Sequence, residues 1–203
     1  KHHVAAMLEF DVTDSRKKLQ ELRRSGINVT FNAWLIKVIS SVLQKYPETS
    51  AFLYSKKKLI IFNDINISIL VEKKIGDSRV PIPLVIEKTN EKSASDITLE
   101  IENAKNKKLS DNDIVLTQKS ALSEKLYYKL PGFIRRTVWK IMLGNRRFAY
   151  KKMGNVVITS LGMMGRINGW FIHKSVHPLS FPVGSILKKP IVIHNEIKIR
   201  EIL

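Results

Sequence analysis

Few side chains in this sequence of 203 residues can do chemistry, and their types narrow what that chemistry is. There is no cysteine, which removes thiolate nucleophiles, thiolate metal sites and disulfides. The histidines are His2, His3, His173, His177 and His194. His173 and His177 are four apart, a spacing that would let two imidazoles share a metal on one helix face. Gly169 before them and Pro178 directly after them argue for a loop instead, and no third ligand is well spaced, so no metal is expected. His2-His3 reads as a tag remnant or the polar start of a strand. A Gly-rich phosphate loop, a dinucleotide fingerprint and His-Glu-x-x-His are all missing from the sequence. The hydroxyl of Thr159, at the end of Val156-Val157-Ile158-Thr159, has the plain reading of a β-branched residue suited to a strand.

The elements that would position such groups follow from periodicity. The second half of His3–Val12 alternates loosely and predicts a strand. Asp14 and Ser15 suit the start of a helix over 16–25, with Leu19 and Leu22 inward and Gly26 ending it. Thr30 caps a second helix, whose Leu35, Ile36, Ile39, Val42 and Leu43 recur at helical spacing up to Pro47. Val38 widens that face and predicts burial on more than one side. Strands are expected at 58–62, 65–71 and 80–86, with turns at Asn63-Asp64 and Gly76-Asp77. Pro81 and Pro83 place the last of these strands at an edge or in an irregular position. A helix over 93–107, capped by Ser95 or Asp96, presents Ile97, Leu99, Ile101 and Ala104. Further strands are expected at 156–159 and near 197–200, and 181–187 reads as pairing with 191–193 around Lys188-Lys189-Pro190. This irregular alternation predicts an α/β fold, a mixed β-sheet covered by helices, over a single domain spanning 1–203.

Charge sets the second constraint. There are 35 basic and 18 acidic residues, a net charge of +17. From Ile114 to Leu203 the counts are 16 and 3. Such a field favours anionic partners but does not choose among phosphorylated ligands, nucleic acid and acidic lipid. No nucleic-acid-binding motif is present, so no specific nucleic-acid partner is expected. Within 121–153, Ile134, Val138, Ile141 and Met142 form an apolar stripe among Arg135, Arg136, Lys140, Arg146 and Arg147. The stripe admits a membrane-surface or ligand-tunnel element, but a core-packed helix with a solvated basic face is the preferred expectation.

Four stretches in fixed order resemble the catalytic domain of the 2-oxo acid dehydrogenase (dihydrolipoamide) acyltransferases, which have the chloramphenicol acetyltransferase-like fold. They are His3 to Val12, Val29 to Glu48, Ile65–Val71 with Val80–Ile86, and Val157-Ile158-Thr159-Ser160-Leu161-Gly162. The resemblance implies an acyl group moved between a coenzyme A thioester and a thiol or other nucleophile. It implies coenzyme A or acyl-CoA as substrate, no metal, a homotrimer or a multiple of it, and a cytoplasmic protein. It assigns the hydroxyl that stabilises the tetrahedral oxyanion to Thr159, with Ser160 as the fallback if the register shifts by one. The family's general-base histidine lies in His-x-x-x-Asp-Gly, which this sequence lacks. The chain starts at Lys1 and reaches Leu203 about where that motif should begin, so the base is expected beyond Leu203. No lipoyl segment resembling the family's is found in this chain. The stretch 121–153 is longer and more basic than the family's usual linker. Two alternatives from other classes stand beside this reading: a catalytically inactive member with a binding or assembly role, and a basic binder of nucleic acid or a membrane surface.

Overall fold

The computed structural model describes residues 3–55, 58–75, 78–106, 131–165 and 167–203. At its centre is the strand β3 (Ile67–Ile75), where the alternation read from sequence turns Ile67, Ile69 and Val71 to one face. β4 (Ser78–Ile86) runs antiparallel to it, while β5 (Val156–Ser160) joins its other side in parallel. β6 (Leu179–Val183) adds in parallel to β5, giving the order β4-β3-β5-β6. The sheet is mixed, as expected. Pro81 and Pro83 lie two residues apart, so their missing N–H groups fall on one side of β4. The strand order leaves β4 with an open side, which is where a strand tolerates proline.

Two helices cover one sheet face. α2 (Phe31–Lys45) starts at Thr30, whose side chain accepts from the Ala33 N–H. Ala33, Ile36, Ser40 and Leu43 are buried at helical spacing. Val38 and Val42 are 40% and 50% exposed, so the helix is buried on one side only and the expected second buried side is corrected. α3 (Ala94–Asn106) is capped by Ser93, not by Ser95 or Asp96. Asp96 instead accepts from the Ser93 N–H, closing a capping box in which each residue satisfies a free end of the other. Ile97 and Ile101 are buried, but Leu99 points outward. Ile36, Ile67, Ile86, Ile97 and Val156 form the dry centre between sheet and helices. Each contributes about 1.5–3 kcal/mol relative to leaving it in water.

The N-terminal arm differs from expectation. Residues 3–10 form no strand, and only Asp11 bridges to Ile202. Phe10 and Leu203 exchange backbone hydrogen bonds of 3.0 and 2.9 Å, and the Val12 N–H donates to Glu201 O. The ladder cannot continue toward residue 3 because nothing on the arm pairs with a strand there among the described residues. α1 (Thr13–Arg24) then begins before Asp14 and Ser15. Asp11 accepts from both the Thr13 N–H and the Thr13 hydroxyl, taking the role expected of Asp14 and Ser15. Gly26, at φ +87°, closes α1: its N–H donates to Arg23 O and the Ile27 N–H donates to Leu22 O.

β7 (Leu187–Ile193) and β8 (Glu196–Ile202) form a hairpin turning at His194 and Asn195, both with positive φ. The expected pairing of 181–187 with 191–193 does not occur. Phe181 is committed to Ile158 in the main sheet, and Lys188-Lys189-Pro190 lies inside β7. A short antiparallel pair, β1 (Phe52–Ser55) and β2 (Lys58–Ile60), precedes β3. The basic stretch contains α4 (Gly132–Gly144) and α5 (Arg146–Met153). The expected turn at Gly76-Asp77, residues 121–130 and the side chains of Val138, Ile141 and Met142 lie outside what is described.

Candidate active site

β5 is the element that would carry the oxyanion hydroxyl, and its register is set at its first residues. Gly154 stands at φ +76° and ψ −178°, a conformation essentially confined to glycine. A Cβ there would lie 2.3 Å from the Asn66 carbonyl oxygen. The close approach lets that oxygen accept from the Asn155 N–H at 3.0 Å and the Val156 N–H at 3.3 Å. Asn155 is fully buried. Its Oδ1 accepts from the Asn66 N–H at 2.9 Å, and its Nδ2 donates to Ser50 Oγ at 3.2 Å. Asn66 Oδ1 in turn accepts from the Lys88 N–H. This reciprocal Asn66–Asn155 clasp fixes Ile67 opposite Val156 and Ile69 opposite Ile158.

The period of two then decides where the hydroxyls go. Val156 and Ile158 face the helix-covered core. Val157 and Thr159 therefore face the other side of the sheet. Thr159 is half-buried beside Pro182 in the ladder, and its hydroxyl makes no side-chain hydrogen bond among the described residues. Ser160 is differently occupied: its Oγ accepts from the Gly162 N–H at 3.2 Å, capping the short turn Leu161–Met164. The two adjacent hydroxyls thus differ in surroundings: Ser160 Oγ is held as an acceptor in the turn with its O–H still able to donate, while Thr159 has no such tie.

The histidine pair resolves as a loop, as expected, but with hydrogen bonds that spacing did not reveal. Ser180 pairs with Val157 in register, which puts its side chain on the Thr159 face. His173 Nδ1 lies 3.4 Å from Ser180 Oγ, so the structure brings this imidazole to the same side of the sheet. His177 is held from both ends. Its Nε2–H donates to the Met153 carbonyl at 2.8 Å, and its Nδ1 lies 2.7 Å from the Ser175 hydroxyl. These bonds tie the loop to the end of α5. No three His, Cys, Asp or Glu side chains among the described residues group to hold a metal. His194 turns the β7–β8 hairpin, His3 lies on the exposed arm, and His2 is outside the described residues.

Two charged or ionisable groups brace the surroundings. Tyr150 stacks on Phe62 at 3.7 Å between ring centroids and donates to the Asp64 carbonyl at 3.0 Å. Burial, with the nearby Asp64 and Glu87 carboxylates, pushes its phenol up to about 12, so it stays a donor at neutral pH. Asp11 is held down at about 2 by the Thr13 hydroxyl first and by Arg200 as well. Arg200 donates to Asp11 at 2.6 Å and also to Asp14, pinning β8 to the start of α1. Sequence reasoning missed the clasp and the His173–Ser180 contact. The available signal was polar Asn66 and Asn155, each just before an apolar strand and one of them next to a glycine.

The family model for the 2-oxoacid dehydrogenases acyltransferase (catalytic domain) matches residues 2–116. The chain belongs to this family, and its function is that of an acyltransferase domain. Solved structures are similar in fold over nearly the whole chain. A probable dihydrolipoamide acetyltransferase from Listeria monocytogenes 4b F2365 is 23% identical with a TM-score of 0.60, over 97% of this chain and 70% of that one. The cubic core of the pyruvate dehydrogenase multienzyme complex is 17% identical with a TM-score of 0.61, over 96% and 67%. The same values hold for the Azotobacter vinelandii dihydrolipoamide acetyltransferase, studied for the roles of a serine, a histidine and an asparagine in its catalytic mechanism. No curated protein matches the chain.

Proposed function

We propose that this chain, as one catalytic domain over 1–203, transfers an acyl group between coenzyme A and a second thiol. Thr159 donates the hydrogen bond to the oxyanion. The observation that carries this reading is the hydroxyl of Thr159, half-buried on the sheet face away from the helix core and without a side-chain hydrogen bond among the described residues. As the attacking thiolate adds to the thioester carbon, the carbonyl oxygen gains charge, and a positioned donor is worth most at that moment. The serine named for the Azotobacter enzyme supports a hydroxyl in this role. A histidine, a residue type named for the Azotobacter enzyme, takes the thiol proton as general base. Collapse of the tetrahedral intermediate breaks the original carbon–sulfur bond, and the departing thiolate takes that proton back. The basic surface draws in the phosphates of coenzyme A. The domain acts as a homotrimer, which the similarity to a multienzyme core supports, and works in the cytoplasm. No described helix is long and apolar enough to cross a membrane.

The test is a substitution series in the assembled protein. Thr159→Ala lowers kcat by about two orders of magnitude with little change in KM, since the bond strengthens only in the transition state. Thr159→Ser keeps most activity, and Ser160→Ala is nearly neutral. A silent Thr159→Ala beside a crippling Ser160→Ala moves the role one residue along. If both are silent, the assignment fails.

A further inference from the structure

From Lys125 to Asn195 the sequence carries 13 Lys and Arg and not one Asp or Glu. The surface this run builds is not purely polar. On α4, Phe133, Arg136 and Lys140 follow one another at spacings of three and four, so they share a face. All three are exposed, and Phe133 is 70% exposed. α5 packs against α4 and presents Arg147, Phe148 and Lys151, also exposed. Asn145 caps α5, and Arg146 Nε donates to the Leu53 carbonyl at 3.1 Å, fastening the pair to the β1 strand. Phe133 thus stands among cations on an exposed face, while Phe148 is 37% exposed.

We infer that the α4–α5 pair is a docking surface for an anionic lipid bilayer. A polyanion in solution would satisfy the four cations and leave Phe133 in water. The bilayer interface takes both kinds of group: cations at the phosphates, rings at the boundary of headgroups and acyl chains. Because neither helix is long or apolar enough to span, the pair lies on the surface. The inference is independent of the assignment of Thr159, because none of these six residues belongs to the candidate active site.

The experiment is co-sedimentation of the assembled protein with vesicles of phosphatidylcholine alone or with one-third phosphatidylglycerol. Binding is expected to the anionic vesicles only, weakening as salt rises. The double variant Arg136→Gln, Lys140→Gln should bind about 25-fold more weakly, at about fivefold for each charge near an anionic surface. Phe133→Ser should weaken vesicle binding several-fold while leaving retention on a heparin column unchanged. Circular dichroism and thermal unfolding of these variants should match the parent, which reports intact folding. Absence of binding to anionic vesicles at physiological salt overturns the inference. So does vesicle binding indifferent to Phe133→Ser, or an oligonucleotide bound more tightly than the vesicles.

Discussion

Replacing Gly154 by alanine tests the idea that a single close backbone approach sets the register of β5 and so the position of Thr159. Two costs add. The backbone at φ +76°, ψ −178° is one that an L side chain adopts at about 1–3 kcal/mol. The new Cβ also meets the Asn66 carbonyl oxygen at 2.3 Å and its carbon at 2.9 Å. These are backbone atoms inside the clasp and cannot swing aside. Moving them disturbs the bonds from the Asn155 and Val156 N–H groups, at about 1 kcal/mol each. Stiffening the unfolded chain returns about 0.4–1 kcal/mol. The net loss is about 3 kcal/mol, which for a chain of this size lowers Tm by about 6–12 °C. Gly26→Ala is the internal control. Gly26 also has positive φ, but nothing lies within 4 Å of its added Cβ, so only the conformational cost of about 1–2 kcal/mol applies, and the same return of about 0.4–1 kcal/mol leaves a net loss of about 1 kcal/mol. Calorimetry on both variants should show Gly154→Ala losing at least twice as much as Gly26→Ala. Gly154→Ala should also have reduced kcat at temperatures where it is still folded, because Thr159 lies five residues along the displaced strand. Equal Tm losses in the two variants, or a Gly154→Ala protein with full activity, would refute the reasoning.

Three further outcomes are expected. Asp11 sits at about 2 in the folded protein against 3.8 for the free side chain, so its contribution is present above about pH 4 and lost as pH falls toward 2. Asp11→Asn should flatten that part of a Tm-against-pH curve and lower Tm near neutrality to the same extent, since the Thr13 and Arg200 contacts act on the charged form; an unchanged acid slope would speak against it. Ser40 is fully buried with its Oγ 2.6 Å from Thr89 Oγ1 and 2.7 Å from the Ile36 carbonyl, so Ser40→Ala should cost about 1–2 kcal/mol in chemical denaturation, and a neutral result would show the bond to be idle. Sedimentation of the protein should give three times the monomer mass or a multiple; a clean monomer at micromolar concentration would sink the trimer.

Local rules were enough for much of this protein. Residue spacing alone gave helix α2 with its Thr30 cap, the alternating strand β3 and the edge character of β4, because each depends on neighbours within a few residues. It also gave the family likeness, through short stretches in fixed order. Other choices were settled between residues far apart. Leu19 is buried whereas Leu22 and Leu99, equally apolar, are exposed, since only packing decides which part of an apolar stripe meets the sheet. Segment 179–183 had a plausible hairpin partner nearby, yet it pairs in parallel with β5 because that burial extends the core. The distinction that matters most for the site is between Thr159 and Ser160. As sequence they are two hydroxyls side by side. The clasp between Asn66 and Asn155 joins residues 89 positions apart, and through the strand period it turns Thr159 to the face away from the helices while Ser160 caps the following turn.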